Sequence, residues 1–304
     1  MLPSRRPALP PSVVELPGPF THELVHTRGL RLHAAVAGNP QHPLIVLLHG
    51  SFGGWFDYSE VIAPLAEAGF HVAAVDARGY GLSDKPPATA GTGLRTAAGD
   101  VSGLIQALGH DSAILVGSDT GGTVAWFLAT HAPARVDALV SVSAAHPVDL
   151  RRAMAARPWH FPWTFTRSLL TRLPGPLPAV AYRRHLRLNT SPGFHRSPRF
   201  AETLELRHRA AAIGNTRPAI TRNNRLLTSP VSVRSVNAQV TAPTLLIQPG
   251  QRGWGHLAAR SRTRTTGPVQ TISVPDTRNL PQLENPDGFV TAVLRFLRSP
   301  EATG

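Results

Sequence analysis

Short aliphatic runs alternate with segments of helical periodicity through the first 147 residues, and this alternation limits the fold more than any other feature. A strand, a helix and a further strand in this order form a parallel pair with a right-handed crossover. The aliphatic runs lack polar alternation, so both faces of the sheet are expected to be covered. Strands are predicted at 43–48, 71–75, 113–116 and 138–142, and helices at 58–68, 96–108 and 121–131. The sequence therefore predicts a doubly wound, mostly parallel α/β sheet.

The alternation begins after a predicted hairpin, with strands at 23–26 and 30–36, and is interrupted once. From about residue 148 the strand signal is replaced by Pro- and Arg-rich segments of helical character. Strands resume at 242–247 and 269–274, before a closing helix at 286–297. We therefore predict a Pro-rich leader over 1–19, a sheet core over 20–147 and 236–304, and an inserted helical segment over 148–235.

A Gly-rich turn follows the predicted strand at 113–116 and runs directly into a helix. It reads Val116-Gly117-Ser118-Asp119-Thr120-Gly121-Gly122. A strand, then Gly-x-nucleophile-x-Gly, then a helix is the pattern of a nucleophile elbow, in which small residues flank a side chain lifted above the sheet. The central residue here is Asp119, and the helix N-terminus beneath it would stabilise negative charge. Because the chain has no cysteine, a nucleophile must be oxygen or nitrogen.

Two further motifs accompany the elbow, each after a predicted strand. They read His49-Gly50-Ser51-Phe52-Gly53-Gly54-Trp55 and Asp76-Ala77-Arg78-Gly79-Tyr80-Gly81-Leu82-Ser83-Asp84-Lys85-Pro86. Together with the elbow they resemble the α/β-hydrolase fold, most closely its epoxide hydrolase and haloalkane dehalogenase branch, in which aspartate replaces serine as nucleophile. The resemblance covers about residues 20–147 and 236–300. It implies that 148–235 is a helical cap over the active site.

This resemblance implies a two-step reaction on an apolar or lipid-like epoxide or ester. Asp119 would attack an electrophilic carbon, and water activated by a histidine would then hydrolyse the alkyl-enzyme ester. The backbone N–H groups of Ser51 and Thr120 would form the oxyanion hole. Tyr182, the one tyrosine of the predicted cap, is a candidate proton donor to the epoxide oxygen. Dehalogenases usually carry tryptophan at the position of Thr120, so epoxide opening is favoured over dehalogenation.

The other two triad positions do not match the family pattern. Asn279 stands where the histidine is expected, and Arg252 stands where the orienting acid is expected. An amide has no basic nitrogen that could take a proton from water at neutral pH. His256 and His146 are alternative bases, and Asp149 is an alternative acid.

Three hypotheses about function therefore stay open. The first is an epoxide-hydrolase-like protein whose activation of water is impaired. The second is a non-catalytic ligand-binding or regulatory protein that keeps the pocket. The third is an active hydrolase in which His256 or His146 serves as a relocated base.

Positive charge is concentrated in the predicted cap. Residues 151–240 contain sixteen arginines and only Glu202 and Glu205 as acids, whereas the whole chain has a formal net charge of +13. Such a surface suits an anionic membrane, and the interspersed aromatic residues are expected to line a pocket for a small apolar or lipid-like ligand. No cofactor, metal or nucleic-acid motif is recognisable, so none of these partners is expected. Without a secretory signal or a long apolar run, we predict a cytoplasmic protein.

Overall fold

An eight-stranded sheet forms the centre of the computed structural model, which describes residues 8–87, 93–160, 166, 177–227, 237–250 and 254–300. The strands are β1 (Thr21–Thr27), β2 (Leu30–Ala37), β3 (Leu44–Leu48), β4 (His71–Val75), β5 (Ala113–Ser118), β6 (Val136–Val142), β7 (Thr244–Ile247) and β8 (Val269–Ile272). Their order is β1-β2-β4-β3-β5-β6-β7-β8. The β1–β2 and β2–β4 pairs are antiparallel, and all other neighbours are parallel. The predicted mostly parallel sheet is confirmed.

Helices cover both faces of this sheet. In chain order the α-helices of the described residues are α1 (Ser59–Glu67), α2 (Leu94–Ala107), α3 (Asp119–His131), α4 (Pro147–Ala156), α5 (Leu177–Asn189), α6 (Pro192–His195), α7 (Pro198–Ala212), α8 (Thr216–Leu226), α9 (Trp254–Arg264), α10 (Pro281–Glu284) and α11 (Pro286–Leu297). Because successive strand residues point to opposite faces, Val46 packs with α2 and α3, whereas Leu47 packs with α1 and α11. These two apolar layers form the core.

The described part of the Pro-rich leader packs against the rest of the protein. A short 3₁₀ turn at Pro11–Val14 buries Val14 completely, and the Val14 carbonyl accepts a hydrogen bond from Trp55 Nε1 at 3.0 Å. The Leu9 N–H donates to the Ala212 carbonyl at 3.0 Å. This segment therefore connects the sheet core to the end of α7.

Between β6 and β7 the described residues form helices α4 to α8, linked to the core by ion pairs. Arg207 of α7 forms a two-armed contact with Asp57, at 2.8 and 3.3 Å, and both side chains are almost fully buried. Arg199, on the same helix, pairs with Glu60 at the surface. The predicted limits 148–235 include residues outside the described part, so these domain limits stay a prediction.

One face of α5 is exposed and basic. Arg183, Arg184 and Arg187 lie on it together with the exposed apolar side chains of Val180 and Leu188. An anionic membrane as the partner of this surface stays a prediction. Among the described residues, no helix is both long and apolar enough to cross a bilayer.

Candidate active site

Strand β5 passes into helix α3 within a single residue, Asp119. Its φ of +49° lies in the left-handed region, which costs a non-glycine residue about 1–2 kcal/mol. The flanking residues must be small, because a β-carbon at Gly121 would lie 2.3 Å from the Leu48 carbonyl oxygen. At Gly122 it would lie 2.3 Å from the Ala144 side chain. This strained strand–helix junction has the geometry of a nucleophile elbow.

The elbow places the Asp119 carboxylate beside the loop that follows β3. The Ser51 N–H donates to Asp119 Oδ2 at 3.1 Å. Glycine at position 50 permits this approach, since a β-carbon there would lie 2.8 Å from Asp119 Cβ. Asp119 also begins helix α3, whose first-turn amides favour negative charge. The structure therefore brings Asp119, Ser51 and the N-terminus of α3 together, as the elbow pattern requires.

Thr120 connects this loop to helix α8. Its hydroxyl oxygen accepts from Ser51 Oγ at 3.2 Å and from Asn223 Nδ2 at 3.1 Å, and the residue is fully buried. The sequence motifs did not point to Asn223, because nothing in the local pattern of α8 marks it as a neighbour of the elbow. Asn223 is thus an additional residue that positions Thr120.

Buried hydroxyl groups fix the two strand ends that meet at the elbow. The Tyr58 hydroxyl donates to either the Leu48 carbonyl at 3.1 Å or Ser118 Oγ at 3.2 Å. Burial raises the pKa of Tyr58, which therefore stays protonated at neutral pH. The Tyr80 hydroxyl donates to the Ser51 carbonyl at 3.0 Å. These contacts hold the Ser51 N–H in place relative to Asp119.

We expect Gly121→Ala to lower the free energy of unfolding by about 1–3 kcal/mol. The added methyl group would clash with the carbonyl oxygens of Leu48 and His49, which can move only if the backbone shifts. The matched control is Gly255→Ala, which also lies in a helix but has open space around the added carbon. That variant should be neutral or gain up to about 1 kcal/mol. Urea unfolding of both variants tests this difference, and equal stabilities would contradict the described packing.

Asn279, at the expected histidine position, is bound to the end of helix α5. Its N–H donates to the Asn189 carbonyl at 3.0 Å, and its Nδ2 donates to Asn189 Oδ1 at 2.6 Å. Asn279 Oδ1 is buried without a hydrogen-bond partner among the described residues. Nearby, Glu284 accepts the N–H groups of Arg278 at 2.8 Å and of Ser191 at 2.6 Å. The loop after β8 is therefore tied to the helical segment by side-chain amides and a carboxylate.

The two alternative histidines occupy very different environments. His146 is completely buried, and its Nδ1 accepts the Val148 N–H at 3.3 Å. Burial, aided by the charge of Arg264, lowers the pKa of His146 to about 3. His256 is exposed on α9.

Asp149, the alternative acid, is paired with an arginine and has no hydrogen bond to His146. Both carboxylate oxygens of Asp149 contact Arg264, at 2.5 and 2.9 Å. Arg252, at the expected acid position, lies outside the described residues.

The low pKa of His146 predicts a specific pH dependence of stability. The folded protein resists protonation of the His146 ring, whereas the unfolded chain takes up the proton below about pH 6.5. The stabilising contribution of the neutral ring is therefore complete above pH 6.5 and is lost as the pH falls toward about 3. Lowering the pH from 7 to 5 should reduce the free energy of unfolding by about 2 kcal/mol through this one histidine. Urea unfolding of His146→Gln at both pH values should show that loss abolished.

The control for this pH effect is His256→Gln, which removes an exposed histidine. Its pH dependence should match that of the unmodified protein. A His146→Gln variant that still loses as much stability as the parent would contradict the assignment.

Tyr182 lies beside the loop that carries Ser51. Its ring packs edge-to-face on Phe52, with ring centroids 5.0 Å apart, and it is almost fully buried on α5. Burial raises the pKa of Tyr182, so the phenol holds its proton at neutral pH.

Among the described residues, no group of three or more His, Asp or Glu side chains is arranged to hold a metal ion.

Comparison with known sequences places this site in a family. Residues 43–246 match the profile of the alpha/beta hydrolase fold family. AB hydrolase superfamily protein YfhM of Bacillus subtilis is 42% identical over 125 residues, covering 41% of this chain and 44% of that protein. Epoxide hydrolase B of Mycobacterium tuberculosis is 39% identical over 124 residues, covering 40% of this chain and 35% of that protein. The match thus spans less than half the length of either relative.

Solved structures of other proteins superpose on nearly the whole of this chain. Epoxide hydrolase A from Mycobacterium thermoresistibile superposes with a TM-score of 0.76 at 26% identity, covering 92% of this chain and 98% of that chain. The enol-lactonase from Burkholderia xenovorans LB400 superposes with a TM-score of 0.70 at 19% identity, covering 92% of this chain and 100% of that chain. At this identity the similarity shows only a shared fold. The family profile covers more than half of this chain, and the sheet order and elbow agree with it. The protein therefore belongs to the α/β-hydrolase fold family and resembles the epoxide hydrolases.

Proposed function

We propose that the protein opens a small apolar epoxide through Asp119 and keeps the product as an ester on that residue. The observation that carries this proposal is the strained Asp119 backbone, with φ +49°, combined with the 3.1 Å hydrogen bond from the Ser51 N–H to its carboxylate. Strain of this kind persists only where the surrounding structure enforces it, and it is concentrated at functional sites. Under the same proposal, the helices between β6 and β7 act as the cap over the substrate.

The proposed first step is attack by the Asp119 carboxylate on the epoxide. The Ser51 N–H stabilises the carboxylate at Oδ2, and one carboxylate oxygen attacks an epoxide carbon. The new bond joins that oxygen to the carbon, the carbon–oxygen bond of the ring breaks, and the departing oxygen takes a proton. Tyr182 is the proposed donor of this proton, because its phenol is protonated at neutral pH and packs against Phe52. Water then returns a proton to the phenolate left on Tyr182, which burial makes strongly basic.

The proposed second step is slow because water lacks an effective base. Asn279 has no basic nitrogen, and its Nδ2 is engaged by Asn189 at 2.6 Å. A histidine with a pKa of about 3, as at His146, is a weak base toward water at neutral pH. These features support accumulation of the ester in place of steady turnover.

The same features favour ligand binding without chemistry as a second candidate. A pocket that lacks the base could hold an apolar ligand without turning it over. The two candidates differ at Asp119: the first requires a covalent bond there and the second does not. A relocated base at His256 or His146 would differ from both by giving steady hydrolysis.

Intact-mass analysis after incubation with 1,2-epoxyoctane separates these candidates. We expect one epoxide mass added per chain, persisting after removal of free epoxide, and no addition to Asp119→Asn. Steady diol release without accumulated ester would indicate a relocated base. Neither adduct nor diol would overturn the proposal and leave the binding candidate. Because Asn closely matches Asp in shape, we expect the Asp119→Asn variant to fold. Its circular dichroism spectrum and unfolding midpoint check this.

A further inference from the structure

A cavity of about 90 Å³ lies next to the elbow, between the sheet and helices α2, α3 and α8. Thr120 and Gly121 line it, but Asp119 does not. It therefore lies beside the catalytic carboxylate and is not the space directly in front of it.

The wall of this cavity is mainly apolar. Leu48 and Val75 come from the sheet, Val101 from α2, Val124 from α3 and Leu226 from α8. An apolar cavity of about 150 Å³ holds a benzene molecule, so the smaller space suits an alkyl chain of roughly four carbons. The apolar wall thus sets both the character and the size of a ligand.

Most polar groups in the lining already have partners within the protein. His49 has its Nδ1 2.7 Å from the Gly50 carbonyl, while its Nε2 accepts the Ala77 N–H at 3.0 Å. Arg78 forms a two-armed contact with Asp100 at 2.6 and 2.7 Å, so their charges cancel. Neither group needs a ligand to satisfy it.

Arg222 is the charged group of the described lining that has no such partner. This half-buried arginine of α8 lines the cavity, and its guanidinium has neither an ion pair nor a hydrogen bond among the described residues. The described lining therefore carries one unbalanced positive charge beside an apolar wall. A guanidinium binds a carboxylate with two parallel hydrogen bonds, which gives both charge and geometric complementarity.

We propose that this cavity is a binding site for a short-chain monocarboxylate such as butyrate. The carboxylate binds Arg222, and the alkyl chain lies among Leu48, Val101 and Leu226. Thr120 lies between this site and the elbow, and its hydroxyl oxygen accepts hydrogen bonds from Asn223 on one side and Ser51 on the other. This inference does not depend on whether Asp119 forms an ester.

Ligand-observed NMR titration of the full chain with sodium butyrate tests the proposal. We expect saturable binding, no binding of butylammonium, and at least tenfold weaker binding to Arg222→Gln. Arg222→Lys keeps the charge and should lose less affinity than Arg222→Gln. The matched control is Arg225→Gln, which changes an exposed arginine one turn along the same helix and should leave affinity within twofold.

The Asp119→Asn variant distinguishes this cavity from the catalytic site. Removing the Asp119 charge should leave butyrate affinity within about twofold if the ligand binds at Arg222. A tenfold change in Asp119→Asn would assign the ligand to the catalytic site and overturn the proposal. Undiminished binding to Arg222→Gln, or no butyrate binding by the unmodified protein, would also overturn it.

Discussion

Replacing Arg207 with methionine is expected to lower the free energy of unfolding by about 3–5 kcal/mol. The side chains of Arg207 and Asp57 are only 1% and 2% exposed, so the substitution leaves a buried carboxylate without its partner. A loss of that size is a large fraction of the total stability of a typical domain. Urea unfolding at pH 7 measures the effect.

Two controls show whether the loss arises from the buried charge. Adding Asp57→Asn to Arg207→Met removes the unpaired carboxylate and should restore most of the lost stability. Arg199→Met breaks the contact with Glu60, where the side chains are 36% and 54% exposed, and should cost no more than about 1 kcal/mol. A similar cost for Arg199→Met and Arg207→Met would contradict the burial of the Arg207 pair.

Replacing Asn279 with histidine is expected to shorten the lifetime of the proposed Asp119 ester by about 100-fold. A positioned general base contributes about 10² to 10⁴ in rate, and the low end applies because, among the described residues, the side chain at 279 has a hydrogen bond to Asn189 and none to a carboxylate. The rate should also rise with pH as the new imidazole loses its proton near pH 6.5. Single-turnover decay of the ester, followed by intact mass, measures both effects.

Asn279→Gln is the matched control for this gain of function. It also perturbs the contact with Asn189 but introduces no basic nitrogen, so the ester should remain as long-lived as in the parent. Equal ester lifetimes in the histidine and glutamine variants would mean that residue 279 does not reach the ester. The family resemblance would then fail at this position.

Elements set by a local pattern were predictable from the sequence. Strand β4 and helix α11 begin and end at the predicted residues, His71–Val75 and Pro286–Leu297. After His71 the strand is an unbroken aliphatic run, typical of a buried parallel strand. The helix begins where Asn285 accepts the Gly288 N–H at 2.9 Å and Pro286 occupies the first helical position.

The elbow shows where local patterns stop being sufficient. Strand β5 was predicted to end at residue 116 and the helix to begin at 121, but the strand runs to Ser118 and α3 begins at Asp119. Gly117 favours an early end to the strand, but Gly117 pairs with Leu48 of β3 and Ser118 pairs with Val142 of β6, so the strand continues to Ser118 and the chain turns into the helix at Asp119. Tertiary contacts therefore override local propensity at the site itself.

The contacts that distinguish this site join residues far apart in the chain. Asn279 and Asn189 are 90 residues apart, and Asn223 and Thr120 are 103 apart. Periodicity and motif spacing carry no information about which loops meet across such distances. The sequence pointed to Asp119, Ser51 and Thr120 because the elbow and the loop after β3 are local motifs, but the amides around them required the structure.

The central claim, that Asp119 is the nucleophile, is tested most directly by locating the covalent bond. Protein treated with 1,2-epoxyoctane is digested, and tandem mass spectrometry identifies the modified residue. The proposal predicts one ester per chain on Asp119, absent from Asp119→Asn. Modification of another residue, or no modification together with no diol, would contradict it.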